Sequence, residues 1–271
     1  MTTAGFIGLG SQGGGMARRI IEMGVPTTLW ARRPDALEPF REQGHLAADP
    51  AELGRRSDVV GICVTDGAAV REVTLGPTGV LAGMAAGSVL ALHATIGTGD
   101  CAEIAAAAAE RGVDVIDAPV SGGGGAAEAG ALTVYVGGEP AVVNRARPVL
   151  ATYGNPILHL GPLGSGLRTK FVNNVLNAAH FALAQDALAI GAAFGLDREA
   201  LGVALTNGSG RSFSLEVLVG LGSLDPIADR AGPLLGKDIG LFAAEAERVD
   251  APSAPLLAAA DRFLALVGHS R

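Results

Sequence analysis

Along the first 160 or so residues, short apolar runs recur between glycine turns and stretches of helical pattern. Residues 4–7, 27–30, 58–65, 88–95, 113–116, 132–136 and 156–160 are too short for helices. The central ones, DVVGICVT and SVLALHAT, are continuous apolar runs without the polar alternation of a half-exposed strand. Such runs fit parallel strands covered on both faces. Helical pattern lies between them, over 14–23 up to Gly24 and over the alanine-rich 100–111. This alternation predicts an open, doubly wound α/β sheet. A closed barrel is disfavoured, because the pattern stops near Gly161 and never resumes.

The second half of the chain changes character. From Gly166 on there is no convincing strand. Residues 164–195 read as one long helix, with a glycine-rich entry at 161–166, a proline-free stretch rich in Ala and Leu, and a stop at Gly195. Further helices are predicted over 197–207 capped by Asp197, over 212–219, over 232–249, and from Pro252 or Pro255 to 267. The expected organisation is an α/β domain over 1–163 and an all-α domain over 164–271. The long helix carries the chain from one to the other.

Composition narrows the function. The chain has 271 residues, enough for two ordinary domains, with a formal net charge of -7 and no basic run. That argues against nucleic acid or an anionic membrane surface as partner. Two cysteines, Cys63 and Cys101, and five scattered histidines give neither a disulfide framework nor metal-ligand spacing. No metal site, transmembrane span or signal peptide is expected, and the reading is a soluble protein of a reducing cytoplasm.

Candidate chemistry begins at Gly8-Leu9-Gly10-Ser11-Gln12-Gly13, a G-x-G-x-x-G between the first strand and the first helix. Gly8 permits the tight turn, Gly10 the approach of a pyrophosphate, and Gly13 close packing of helix on strand. Free amides at the helix start face the anion. In this context the motif reads as a Rossmann-type dinucleotide site. After the second strand, where NAD sites place an acid for the ribose hydroxyls, stand Arg32 and Arg33. Two arginines suit a 2′-phosphate, favouring NADP over NAD, although they also fit a solvated loop. Val64, Thr65 and Thr95 lie at strand ends that should open onto the ligand crevice.

Two further stretches are candidates. Ser121-Gly122-Gly123 follows a strand, and a hydroxyl flanked by unobstructed amides can grip a carboxylate; a plain flexible turn fits as well. Lys170 and Asn174 stand four apart on the long helix, so both side chains can point to one side. A lysine beside carboxamides could bind a small anion and move a proton, or could be a solvated first turn. Lys237, in KDIGL, taken singly reads as a snorkelling residue.

Together, GFIGLGSQGGGMA, ATI at 94–96, DAPVSGG at 117–123, GSGLRTKFVNN at 164–174 and KDIGL at 237–241 resemble the β-hydroxyacid dehydrogenase family, the 3-hydroxyisobutyrate dehydrogenase-like enzymes. The likeness spans nearly the whole chain. It implies a hydride exchanged between NADP(H) and a small β-hydroxy acid or semialdehyde acid. Lys170 matches the family's catalytic lysine and general acid/base, and Ser121, Gly122 and Gly123 its carboxylate loop. Asn174 matches its substrate-holding asparagine, while Thr95 and Lys237 match positions at the nicotinamide end. A homodimer or homotetramer assembled through the helical domain is also implied. Departures are Gln12 for the usual Met, Ala94 for Ser and Ala31 for Asn; they touch substrate identity more than chemistry. Alternatives are an imine reductase of the same architecture, which typically has another residue in place of Lys170, and a non-catalytic dinucleotide-binding interaction module, expected to lose the lysine or the fingerprint. A decarboxylating phosphogluconate-type enzyme would need a larger helical domain.

Overall fold

The structure, a computed structural model, describes residues 1–271 apart from the side chain of Arg230. The chain divides into two compact units, Met1–Lys170 and Phe171–Arg271.

The first unit alternates strand and helix. In order it contains β1 (Ala4–Ile7), α1 (Ser11–Glu22), β2 (Thr27–Trp30), β3 (His45–Leu46), α2 (Pro50–Arg55), β4 (Val59–Ile62), α3 (Gly67–Leu75), β5 (Val89–Leu92) and α4 (Thr98–Ala109). There follow β6 (Asp114–Asp117), β7 (Val120–Ser121), α5 (Gly123–Glu128), β8 (Leu132–Gly137), α6 (Pro140–Leu150) and β9 (Gly154–Gly161). The sheet runs β3-β2-β1-β4-β5-β6-β8-β7, with β9 beside β8. From β3 to β6 all pairs are parallel. β8 runs antiparallel to β6 and β7. The strand order reverses between β1 and β4, the switch point where doubly wound sheets bind ligands.

Burial explains why the central runs lack alternation. Phe6, Val59, Val89 and Ala91 pack with Met16 and Ile20 of α1 and Val143 and Leu150 of α6. Their strand neighbours Ile7, Val60, Ile62, Leu90 and Leu92 point to the other face and are equally buried. Both faces are therefore covered, and each large side chain contributes roughly 1.5–3 kcal/mol of burial.

Four short helices escaped the sequence pattern: α2, α3, α5 and α6. So did the two-residue strands β3 and β7. The most instructive is α5. The run Gly122 to Gly125 reads as a loop, yet Gly123 opens a helix. That helix packs on α1, with small residues in between. A Cβ at Gly15 would come to 3.0 Å from Ala127 Cβ, and one at Gly124 to 2.5 Å from Ser11 Oγ. The glycines allow two helices to approach to backbone distance, and they are not there for flexibility.

At the centre of this unit His93 is only 3% exposed. Its Nδ1 donates to the carbonyl of Ala118 at 2.7 Å, which leaves Nε2 to accept from the Tyr153 hydroxyl at 3.1 Å. Phe6 stacks on the ring at 5.9 Å. Burial holds the imidazole neutral, with its pKa lowered to about 4, although the bond to Ala118 pulls the other way. Between pH about 6.5 and about 4 the unfolded chain therefore binds a proton that the folded one refuses. The stability from this depressed pKa is complete above 6.5 and lost as pH falls through that window, at up to about 1.4 kcal/mol per pH unit. Urea midpoints at pH 7 and pH 5 should show a steeper acid loss in the wild type than in a His93→Asn variant. Equal slopes would remove His93 as the cause.

The second unit is helical. It takes most of the long helix α7 (Ser165–Ala193), then α8 (Arg198–Asn207), α9 (Phe213–Leu221), α10 (Asp225–Arg248) and α11 (Ala254–Leu266). Asp197 and Ser212 cap α8 and α9 through the amides of Ala200 and Leu215. α10 begins seven residues before the expected 232, since Pro226 occupies its first turn, where a missing N–H costs nothing. Val175, Phe181, Leu188, Leu215, Leu218, Ile239 and Phe263 form its core, with Phe181 stacked on Phe263 at 5.4 Å.

Candidate active site

The first group of candidate residues lies in the turn from β1 to α1. Gly8 has φ +95°, and a Cβ there would collide with the carbonyl of Cys63 at the end of β4. A Cβ on Gly13 would strike the carbonyl of Gly8. Gly10 differs: a Cβ there meets no protein atom within 4 Å, so its surroundings are open. Leu9 packs partly against the core, Ser11 is exposed and Gln12 is half-buried. α1 starts with no side-chain cap and no acid in its first turn, leaving its amides for an anion. These residues fit the pyrophosphate of a nicotinamide dinucleotide.

Arg32 and Arg33 follow β2, both exposed. Each has a carboxylate beside it: Glu72 of α3 is 3.9 Å from Arg32, and Asp35 is 4.0 Å from Arg33. Pairs this exposed are weak, so both guanidiniums can exchange partners. Val64 and Thr65 lie between β4 and α3, where the Thr65 hydroxyl donates to Asp66 at 2.8 Å and Asp66 caps α3. Thr95 is half-buried three residues after β5.

Ser121 ends β7, half-buried. Gly122 and Gly123 have φ +131° and +74°, a backbone that other residues rarely adopt. Four residues before Ser121, Asp117 ends β6 completely buried. Its two oxygens accept from the amides of Gly164 and Leu167, at 2.7 Å each. Desolvation pushes its carboxyl pKa up, and those amides restrain the rise. Lys170, half-buried, lies one turn beyond Leu167 on α7.

In the helical unit, Asn174 is 7% exposed and donates through Nδ2 to Asp238 at 2.6 Å. The other oxygen of Asp238 accepts from Lys237 Nζ at 2.7 Å, and Asn173 donates to Asn174 Oδ1 at 3.1 Å. Thus α10 supplies Lys237 and Asp238, and the third turn of α7 supplies Asn174, in one polar network. Asn174 spends one amide hydrogen on Asp238 and one carbonyl lone pair on Asn173, which leaves its second N–H as a donor suited to a substrate oxygen and a second lone pair as an acceptor.

Asp117 and Asp238 are the residues that sequence reasoning missed. Both lie inside quoted motifs, DAPVSGG and KDIGL, and each is an acid next to an apolar run. That adjacency is the one signal a sequence offers for a buried carboxylate. Among the described residues no group of His, Cys, Asp and Glu could hold a metal ion, and no helix is long and apolar enough to cross a membrane. Burial pushes both cysteine thiols up to about 12, which removes them as nucleophiles.

Residues 3–161 match the NAD binding domain of 6-phosphogluconate dehydrogenase, and residues 164–270 the NAD-binding domain of NADP-dependent 3-hydroxyisobutyrate dehydrogenase. The chain is 35% identical to 3-hydroxyisobutyrate dehydrogenase of Pseudomonas aeruginosa, over 98% of its own length and 92% of that protein. It is 33% identical to L-threonate dehydrogenase of Cupriavidus necator, over 98% and 91%. The structure of Mycobacterium tuberculosis 3-hydroxyisobutyrate dehydrogenase with L-serine superimposes with a TM-score of 0.87 at 28% identity, covering 99% of this chain and 94% of that one. Fold and motifs together define a nicotinamide-dinucleotide oxidoreductase acting on small hydroxy acids. The chain belongs to the β-hydroxyacid dehydrogenase family, whose members include the 3-hydroxyisobutyrate dehydrogenases.

Proposed function

We propose that this chain is an NADP(H)-dependent dehydrogenase of small β-hydroxy acids or the matching semialdehyde acids, with Lys170 as general acid/base. The observation that carries the reading is Lys170 in the first turns of α7, followed one turn later by Asn174 with a donor to offer. The cofactor supplies the hydride chemistry. Lys170 hydrogen-bonds the substrate oxygen, giving a proton in reduction and taking one in oxidation. Ser121, with the amides of Gly122 and Gly123, holds the carboxylate, and Asn174 orients the oxygen beside it. Gly8 to Gly13, Val64 and Thr65 hold the dinucleotide, and Thr95 and Lys237 line its nicotinamide end. The functional division falls at 163/164, between a dinucleotide-binding domain and a helical substrate domain.

Arg32 and Arg33 support NADP, as does the NADP dependence in the description of the matched helical-domain family. Arg32→Ala should raise KM for NADPH about tenfold and leave that for NADH within about twofold, since a charge-assisted bond to the 2′-phosphate is lost. An equal change for both cofactors would refute the assignment. A homodimer or homotetramer is supported by Val172, Leu176, Leu183 and Ile190, exposed apolar residues on one face of α7. We assign the protein to the cytoplasm.

The reading is tested by a panel of 3-hydroxyisobutyrate, L-threonate, L-serine and small semialdehyde acids, each with NAD(H) and NADP(H), followed by the absorbance of the reduced cofactor. Turnover of a cyclic imine, with none on any acid, would replace it by the imine reductase.

A further inference from the structure

We propose that Asp117 is a positioning residue that sets Lys170 in register with the Ser121 loop. This rests on the assignment of Lys170 as the acid/base. The long helix has little local to fix its start: Gly164, just before it, has no side chain, there is no acid in its first turn, and the local bond there runs from the Ser165 amide to the carbonyl of Pro162. Its opening amides are held instead by a carboxylate 47 residues upstream, with one oxygen on Gly164 and the other on Leu167. A two-point attachment of this kind fixes both the height of the helix and its rotation about its axis. The same residue pairs with Leu92 of β5 on one side and Gly137 of β8 on the other, so the anchor is part of the sheet. Four residues later comes Ser121, and the intervening Ala118 is tied down by His93. The loop assigned to the carboxylate and the helix bearing the amine thus share one origin.

A second observation supports it independently. Side chains are excluded where the carboxylate, the backbone of β8 and the entry to α7 meet. A Cβ on Gly166 would run into the carbonyl of Tyr135 in β8 and lie 2.9 Å from Asp117 Oδ2. A Cβ on Gly137 would run into Oδ1 and come to 2.8 Å from the carbonyl of Pro162 and the amide of Ser165. Gly166 belongs to the first turn of α7, where a glycine costs up to about 1 kcal/mol of helix propensity relative to alanine. A buried acid with two short amide bonds, between two glycines with no room for more, is a built junction. Misplacing a catalytic group by about 1 Å can cost 100-fold in rate, so the rigidity of this junction bears directly on turnover.

The test is a double-mutant cycle of wild type, Asp117→Asn, Lys170→Ala and the double variant. Each protein is assayed with NADPH and the acid of the panel that turns over fastest, after circular dichroism shows it folded. In Asp117→Asn the amide nitrogen of the new side chain faces a backbone N–H, so one of the two attachments is lost. The expected result is a fall in kcat of about 10- to 100-fold with KM for NADPH within about twofold. The double variant should be no slower than Lys170→Ala, within about twofold. A folded Asp117→Asn with kcat near wild type, or losses that multiply in the double variant, would overturn the proposal while leaving Lys170 in its role. Normal turnover in Lys170→Ala would overturn both. If Asp117→Asn does not fold, Asp117→Ser, smaller and still an acceptor, runs through the same cycle with the same expectations.

Discussion

Replacing Lys170 with alanine should lower kcat by about two to four orders of magnitude and leave NADPH binding close to that of the wild type. The two halves of this expectation have different physical origins. The residues assigned to the pyrophosphate and ribose of the dinucleotide lie in the β1–α1 turn and after β2 and β4, and Lys170 is at the start of α7. On the proposed mechanism, removing its amine takes away the proton donor to the substrate oxygen, and it touches none of the amides of the glycine turn. Methionine at this position is the complementary variant, similar in length and without charge, and it should be as slow as alanine if proton transfer is the lost function. Stopped-flow measurement of the first turnover, with cofactor affinity read from protein fluorescence, separates chemistry from binding. A first turnover within a few-fold of wild type would move the acid/base role to another group.

Replacing Gly13 with alanine should have a comparable effect by a different route. The added methyl has to enter space taken by the carbonyl of Gly8, and Cys63 Cβ stands 3.2 Å away. Neither neighbour is the free end of a flexible side chain. Either α1 moves off the sheet or the turn from Gly8 to Gly13 opens, and both displace the amides assigned to the pyrophosphate. NADPH affinity should fall at least about 30-fold, about 2 kcal/mol, and the melting temperature should drop by several degrees. Gly10→Ala makes the control: its Cβ meets no protein atom, so it should weaken the cofactor without lowering the melting temperature. Wild-type affinity in Gly13→Ala, measured by titration calorimetry, would remove the glycine turn from the binding site.

The two variants also mark what the sequence could disclose. The β1–α1 turn was legible because its chemistry is local: three glycines at fixed spacing follow a buried run and precede a helix. The long helix was legible for the same reason, from its glycine entry to Gly195. The short helices α2 and α6 were not, because six to eleven residues between strands leave little room for a period to declare itself. The glycines before and within α5 misled, since composition shows a tolerance for close approach but not what approaches. Asp117 and Asp238 lie at the same limit. Their partners are 47 and 64 residues away, and no pattern along one chain records a contact across that separation.

The contact of α1 with α5 has a practical corollary for anyone redesigning this enzyme. One helix begins at the turn proposed to accept the dinucleotide, the other just after Ser121, and they meet with only small side chains in between. Grafting the Ser121 loop of another family member would also require a compatible partner surface on α1. Loop and fingerprint helix are therefore better exchanged as a pair.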